Sequence, residues 1–388
     1  MRVAIVAPVS LGLLGRPGAP FRDVSTGAGA PIISHLANAL LARGIRVSIV
    51  TQSIDVDRRL DYDDGDLTIS VCPARRRGRA RDLFATERRT LAAAVRDHAA
   101  DVVHAHWTYE YALAALDVDP SALVTVRDDA LAVLRYFHDP YRVARLILHR
   151  ETLRRARALT ATSPYLRSRL PAPVARRTVV VPNFWNADLA ALRVRRSTEP
   201  ATDRSCTVVT VANGSGSRKN VTTALRAHHL LRRAGADVRL HLIGRGLGAG
   251  EKTHAFARDR DLTEAVEFLG YLPYRETMAR MAAADVLLHP SLEEAFGMTL
   301  LEAMVLDTPV VAGRGTGNPP HLLGDGSFGM LCDATDALDV AATVGALLEE
   351  PCAASRMAAS ARRHAEEHYR EAVVVPKYLE AYARVLTD

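Results

Sequence analysis

The stretch that most constrains the fold is residues 285–313, Asp285-Val-Leu-Leu-His-Pro-Ser-Leu-Glu-Glu-Ala-Phe-Gly-Met-Thr-Leu-Leu-Glu-Ala-Met-Val-Leu-Asp-Thr-Pro-Val-Val-Ala-Gly313. Val286, Leu287 and Leu288 make a short apolar run, the mark of a buried strand. Pro290 to Gly297 reads as a loop, and Met298 to Leu306 as a helix with Leu300, Leu301 and Met304 on one side and no breaker inside. Pro309-Val-Val-Ala opens a second buried strand. A strand–loop–helix–strand unit is the repeating unit of a parallel sheet, so the pattern predicts an α/β fold. Two carboxylates punctuate it. Phe296-Gly297 interrupts any helix that would join them, so Glu294 is expected to fold back over the start of the helix that carries Glu302. The backbone N–H groups of Gly297, Met298 and Thr299 are then free, and such a terminus binds phosphate. A phosphate flanked by two carboxylates that accept from hydroxyls suits a sugar nucleotide. Without a ligand, the same stretch is a buried loop whose Glu302 bonds a neighbouring backbone.

Glu294-Ala-Phe-Gly-Met-Thr-Leu-Leu-Glu302 resembles the E-x7-E signature of retaining GT-B glycosyltransferases of the family 4 type (glycosyl transferases group 1), and Pro309-Val-Val-Ala follows as in that family. The resemblance implies two Rossmann-like domains facing across a cleft, with a C-terminal helix crossing back to the first. It implies an acceptor-binding domain over residues 1–190 together with 371–388, and a nucleotide-sugar-binding domain over 204–370.

A length of 388 residues accommodates two domains, and 48% apolar with 24% charged residues is the composition of a soluble globular protein. No run of about 18 apolar residues occurs, so no membrane-spanning helix is expected. The opening Met1-Arg-Val-Ala-Ile-Val-Ala-Pro stops too early for a signal peptide and reads as a first strand. Cys72, Cys206, Cys332 and Cys352 are far apart, which suggests neither a zinc site nor a disulfide framework and makes the cytoplasm the simplest setting. The net charge of +6 is carried almost wholly by arginine, with only Lys219, Lys252 and Lys377 as lysines. That charge could draw the protein to the inner face of a membrane or to lipid-linked acceptors. Aromatic residues make up 5%, with no basic helix or RNA-binding signature, so nucleic acid is not an expected partner.

Along the chain, strand 2–8, a glycine-bearing loop from Ser10 to Ala30, a helix Pro31 to Arg43 ended by Gly44, and strand Ile45 to Val50 make a nucleotide-fold opening. The loop is not G-x-G-x-x-G and Thr51-Gln52 stand where an acidic residue would cap strand two, which disfavours a dehydrogenase. Asp61-Tyr-Asp63 and Asp64-Gly-Asp66 spell D-x-D but are expected to be solvated turn residues before the strand Leu67 to Val71. Arg75 to Arg81 is a basic run, read as a solvated loop with membrane or acceptor contact as the alternative. Asp101 to Glu110 is a buried strand ending in polar and aromatic groups. Strand ends line the crevice of an open parallel sheet, which makes His106, Trp107, Tyr109 and Glu110 acceptor-side candidates, while His104 reads as a satisfied core histidine. Residues 141–159 read as a helix with arginine on its outer face, 190–204 as a linker, 336–370 as helical, and Val373 to Leu386 as a final helix. Asn213-Gly-Ser-Gly-Ser-Arg-Lys-Asn220, before a helix from Val221, reads as a second phosphate cradle.

The resemblance assigns roles. Glu302 accepts from the ribose diol and Glu294 from the transferred sugar. Lys219, Arg218 and the N–H groups at 297–299 neutralise the leaving diphosphate. Gly27 and Gly29 let backbone approach the donor, and Phe296, Gly244 and the backbone of Leu272 complete its site. The family often has His-Asp after the strand Leu123 to Val126. Here Arg127 holds the His position, followed by Asp128 and Asp129, and Arg127 cannot act as a base. Arg127 and Asp128 are nonetheless the catalytic candidates beside Glu294. The resemblance implies transfer with retention from a nucleotide-diphosphate sugar, UDP-linked as is commonest, to an acceptor glycan, lipid-linked sugar or small molecule, with no metal and no organic cofactor. A sugar-nucleotide epimerase of the same fold, or a non-catalytic paralogue that binds nucleotide, is the alternative.

Overall fold

The computed structural model describes residues 1–15, 24, 26, 30–194 and 205–387. The chain divides into two compact units, Met1–Phe184 with Glu371–Asp388, and Trp185–Arg370.

In the first unit the strands are β1 (Arg2–Val6), β2 (Arg46–Ser53), β3 (Leu60–Asp63), β4 (Leu67–Pro73), β5 (Val102–His106), β6 (Leu123–Val126), β7 (Leu159–Ala161) and β8 (Thr178–Val180). They form one eight-stranded sheet in the order β3-β4-β2-β1-β5-β6-β7-β8. Every pairing is parallel except β3 with β4. The near-continuous apolar run of β1 and the burial of β2 from Val47 to Ser53 follow from this, because a parallel strand is covered on both faces. The helix Pro31–Leu41 starts on a proline and ends where Gly44, at φ 71°, turns the chain so that Ile45 N–H reaches the Leu40 carbonyl at 3.1 Å. The last helix, Glu371–Thr387, buries Val374, Val375, Tyr378 and Tyr382 in the core of this unit.

In the second unit the strands are β9 (Cys206–Val211), β10 (Val238–Ile243), β11 (Val266–Gly270), β12 (Val286–His289), β13 (Val310–Gly313) and β14 (Met330–Cys332), all parallel, in the order β11-β10-β9-β12-β13-β14. Alternation divides the apolar side chains between two faces. Val209 and Leu287 join the core around Leu300, Leu301 and Met304, while Val208, Val286 and Leu288 join the core around Leu225 and Val344.

Three expectations need correction. Asp61 and Asp63 belong to β3, where Asp61 accepts from Arg59 and Ser70; Leu60 and Tyr62 alternate with them and pin the strand to β4, so they are not simple turn residues. Arg76 and Arg77 are exposed as expected, but Arg75 is more than a solvated loop residue, since it forks onto the buried Glu87 at 2.6 and 2.9 Å. Arg145 does not lie on the outer face of its helix, Pro140–Arg155, but stacks inward over Tyr109. Residues 336–370 are helical as expected, in two helices, Ala337–Glu349 and Pro351–His368, because Pro351 starts a new helix after the non-helical Glu350. The expected linker holds a short 3-10 helix, Ala187–Leu192; residues 195–204 lie outside the described residues.

Candidate active site

In the second unit, loops at the carboxyl ends of β9, β12 and β13 meet. The loop after β9 ends in a turn, Ser217–Lys219, and then Asn220 at φ 50°. The Asn220 side chain donates to the carbonyls of Pro290 (3.1 Å) and Ala334 (2.7 Å), and Leu292 N–H donates to the Arg218 carbonyl (2.8 Å). These bonds fix the Lys219 loop against the Glu294 loop. A third loop, after β13, completes the cradle. Glu294 N–H donates to the Thr316 carbonyl, Asn318 N–H to the Glu294 carbonyl, and the Asn318 side chain to the Phe296 carbonyl, all at 2.9–3.0 Å.

The Glu294 carboxylate accepts from the Lys219 ammonium, and His289 Nε2 sits 3.1 Å from the same oxygen. Burial by itself would push Glu294 up, but the charge of Lys219 and the bond to His289 outweigh it and hold the carboxyl well below its usual range. Glu294 is therefore an anion able to accept from hydroxyls. Arg218 is engaged differently, with its guanidinium 3.0 Å from the buried Glu293, which leaves Lys219 as the cation nearest Glu294.

The helix Met298–Val305 begins after Gly297, whose φ of 95° suits a residue without a side chain. A Cβ there would also approach Leu300 Cδ1 to 3.0 Å. The Phe296 side chain is turned into the core, edge-on to Tyr369 at 5.9 Å, so Phe296 shapes the turn. Leu300 and Leu301 N–H both donate to the Gly297 carbonyl, whereas the N–H groups of Gly297, Met298 and Thr299 have no partner among the described residues. Glu302, within the same helix, accepts from the Tyr274 hydroxyl at 3.1 Å and has no cation beside it among the described residues. Burial pushes its carboxyl up to about 7 from an ordinary 4.5, a rise that the Tyr274 bond only tempers.

Gly244, at φ 132°, lies where a Cβ would come within 1.8 Å of the Ala212 carbonyl oxygen, so its lack of a side chain is required by the packing of the β9 and β10 ends. The Leu272 carbonyl accepts from Thr277 Oγ1 at 3.3 Å. Gly27 and Gly29 lie outside the described residues.

In the first unit, His106 and Arg127 end adjacent strands. Arg127 Nε donates to His106 Nδ1 (3.0 Å) and Nη1 to Asn183 Oδ1 (2.8 Å), and its guanidinium lies 5.6 Å from the Trp107 ring. His104 is tied to Thr125 and to the Tyr382 hydroxyl of the last helix. Burial holds both histidines well below their usual values, so they are neutral. Asp128 accepts from the Tyr109 hydroxyl at 2.9 Å, and Asp129 caps the next helix. Trp107, Tyr109 and Glu110 line a cavity of about 330 Å³, whereas His106 lies behind it, fully buried.

Residues 27–184 match the family Glycosyl transferase 4-like domain, and residues 199–364 match Glycosyl transferases group 1. The chain belongs to the GT-B glycosyltransferases related to group 1. A GDP-mannose-dependent alpha-(1-6)-phosphatidylinositol monomannoside mannosyltransferase of Mycolicibacterium smegmatis is 34% identical over 160 residues, 39% of this chain and 41% of that protein. A D-inositol 3-phosphate glycosyltransferase of a Mycobacterium species is 35% identical over 174 residues, 42% of this chain and 38% of that protein. The chain thus spans about two fifths of the length of these curated relatives. Among solved structures, a sucrose-phosphate synthase of Thermosynechococcus elongatus superposes with a TM-score of 0.79 at 17% identity, covering 100% of this chain and 99% of that one. An Anabaena protein in complex with UDP and glucose does so with a TM-score of 0.69 at 18% identity, covering 98% and 99%. At these identities the likeness is one of fold.

Two residues of the candidate site, His289 and Tyr274, were not singled out from the sequence. His289 ends β12, and the rule that strand ends line the crevice, which selected His106, selects it equally. Tyr274 starts a helix of its own, Tyr274–Ala283, far from Glu302 in sequence, and no local pattern announces that contact. Among the described residues no helix is long and apolar enough to cross a membrane.

Proposed function

We propose that this chain transfers a sugar, with retention, from a nucleoside-diphosphate sugar to an acceptor hydroxyl, and that UDP is the nucleotide. The observation that carries the reading is the Lys219–Glu294–His289 cluster beside free N–H groups at a helix start, with Glu302 further along the same helix. The diphosphate binds the N–H groups of Gly297, Met298 and Thr299, with Lys219 as its counter-charge. Glu302 accepts from the ribose diol, and Glu294 from hydroxyls of the transferred sugar. As the bond from the anomeric carbon to the phosphate oxygen breaks, a bond forms from that carbon to the acceptor oxygen, whose proton passes to the departing diphosphate. Negative charge grows on that diphosphate, and donors already aimed at it lower the barrier without reorganising. Arg127, a buried cation bonded to His106 and Asn183, supplies no base, which is consistent with the leaving group taking the proton.

One relative is a GDP-mannose-dependent enzyme and a solved neighbour holds UDP, so the base is tested directly. In a thermal-shift screen of UDP, GDP, ADP and TDP, UDP should give the largest rise. A ligand at 100 times its dissociation constant adds about 2.7 kcal/mol. A response to GDP alone would correct the base, and no response to any nucleotide would remove the reading. Turnover of the sugar nucleotide to an isomer without acceptor would mark an epimerase instead. The setting we infer is cytoplasmic, in keeping with four cysteines set far apart in the sequence.

A further inference from the structure

The sheet of the first unit ends at β8, which pairs with β7 alone. A parallel strand is ordinarily covered on both faces. Alternation and register show which face of β8 is left open. Thr125 bonds one nitrogen of His104, and the Tyr382 hydroxyl of the last helix, Glu371–Thr387, bonds the other, so Thr125 faces that helix. Leu123, two residues earlier on β6, points the same way, as do Thr160 and Val179, which stand beside Thr125 in register on β7 and β8. Along this row Leu123 is 2% and Thr160 1% exposed, but Val179 is 40% exposed. The last helix therefore covers β6 and β7 and stops short of β8.

The step it leaves is a groove of about 480 Å³, floored by Leu123, Thr160 and Val179 and walled by Ala381, Arg384 and Val385 of the last helix. The helix runs back toward the amino ends of the strands, since the Tyr378 ring lies against both His104 and His106, and Tyr382, one turn on, against His104. Arg384 thus comes to the amino ends, where Arg157 precedes β7 and Arg177 precedes β8, and both of these also line the groove. Arg177 donates to the Leu153 and Ala156 carbonyls at 3.0 and 2.9 Å, bonds that fix its guanidinium without cancelling its charge. Arg157 and Arg384 have no ion pair among the described residues. Glu380 is the one carboxylate in the lining, and Lys377 a further cation.

We propose that this groove binds a single-chain amphiphilic anion, an acyl carboxylate or alkyl phosphate, with its head among Arg157, Arg177 and Arg384 and its tail over Val179 and Ala381. The tail supplies the cover that β8 lacks, and three cations at one end of an apolar trough call for a charge at one end of the ligand. The volume is that of a small-molecule site, within about 300–1,000 Å³, and the floor is recessed beside the helix, which suits a monomer in solution rather than a bilayer. The groove lies toward the amino ends of the strands, whereas the residues assigned to transfer lie at carboxyl ends, so the proposal stands apart from the transferase reading.

The test is calorimetry on the full chain with dodecanoate and dodecyl phosphate, each below its micelle concentration, against dodecanol, acetate and inorganic phosphate. At least one of the two amphiphiles should bind about tenfold or more tightly than dodecanol, which offers no charge. Shortening its tail should weaken it about two- to fourfold per methylene. Arg157→Gln combined with Arg384→Gln should weaken it by at least about tenfold and leave the melting temperature nearly unchanged, because neither side chain is in an ion pair. Val179→Asp sets a carboxylate on the floor at an exposed position and should abolish binding. Dodecanol binding as tightly as the anions, acetate or inorganic phosphate binding as tightly as the amphiphiles, or variants that bind as the wild type does would each overturn the proposal. No binding across the panel would leave the cations as guards of an edge strand. Retention on anionic vesicles without binding of the monomers would make the groove a membrane contact, and would equally overturn it.

Discussion

Replacing Lys219 with methionine should abolish most of the transfer rate and destabilise the protein in the same step. The rate loss follows from removing the cation beside the departing diphosphate; deleting one preorganised donor of this kind costs about 100- to 1,000-fold. The stability loss has a separate cause. Lys219 is the counter-charge of Glu294, and both side chains are largely buried, at 17% and 14% exposed. Breaking a buried pair on one side leaves an uncompensated charge and costs about 3–5 kcal/mol. The two effects separate in the double variant Lys219→Met with Glu294→Gln, which has no stranded charge. Its melting temperature should return most of the way to wild type while its turnover stays lost. A double variant as unstable as the single one would mean the pair is not what the buried charge depends on. A single variant with wild-type turnover would make the pair structural. In the wild type the sign of the pH dependence is fixed by the depressed Glu294 value. The pair contributes fully above the ordinary 4.5 and is lost as pH falls through the native value.

Glu302→Gln should move binding and stability in opposite directions. Burial pushes the wild-type carboxyl up to about 7 from an ordinary 4.5, so the folded state holds the proton more tightly than the unfolded chain. Stability therefore falls as pH rises from 4.5 through 7, and at pH 8 the neutral glutamine should melt higher than the native glutamate. Nucleotide affinity should show the reverse. Each charge-assisted bond from a ribose hydroxyl is worth about 1.5–3 kcal/mol, so losing the charge should weaken UDP roughly 10- to 100-fold. Wild-type affinity should also decline as pH drops below 7, because the diol then meets a protonated acid, and the variant should lose that slope. Calorimetry from pH 6 to 8 reads both. An unchanged dissociation constant would leave Glu302 as a partner of Tyr274 and nothing more. The combination, a residue kept at the expense of stability, is the usual mark of a functional position.

Much of this site was legible in the sequence because its parts are local. The helix after Gly297 could be read from Leu300, Leu301 and Met304 at helical spacing, and all three are buried. Strands β9 and β12 could be read from the short apolar runs Val208-Val209 and Val286-Leu287-Leu288. What could not be read depends on contacts between distant segments. Arg145 sits in a helix rich in arginine, and nothing in its neighbours separates it from the exposed Arg154; only the fold brings Tyr109 beneath it. Asp61 looked like turn chemistry because two acidic pairs surround Gly65, yet Leu60 and Tyr62 supply the alternation of an edge strand. His289 was visible as a residue but not as a partner, since its role depends on how the loop after it returns Glu294 to the strand end.

The most direct measurement is a crystal structure with UDP bound. The account predicts the diphosphate on the N–H groups of Gly297, Met298 and Thr299 with Lys219 beside it, and the ribose hydroxyls on Glu302. A nucleotide seated elsewhere, for instance beside Trp107 in the first unit, with Glu302 still bonded only to Tyr274, would contradict it.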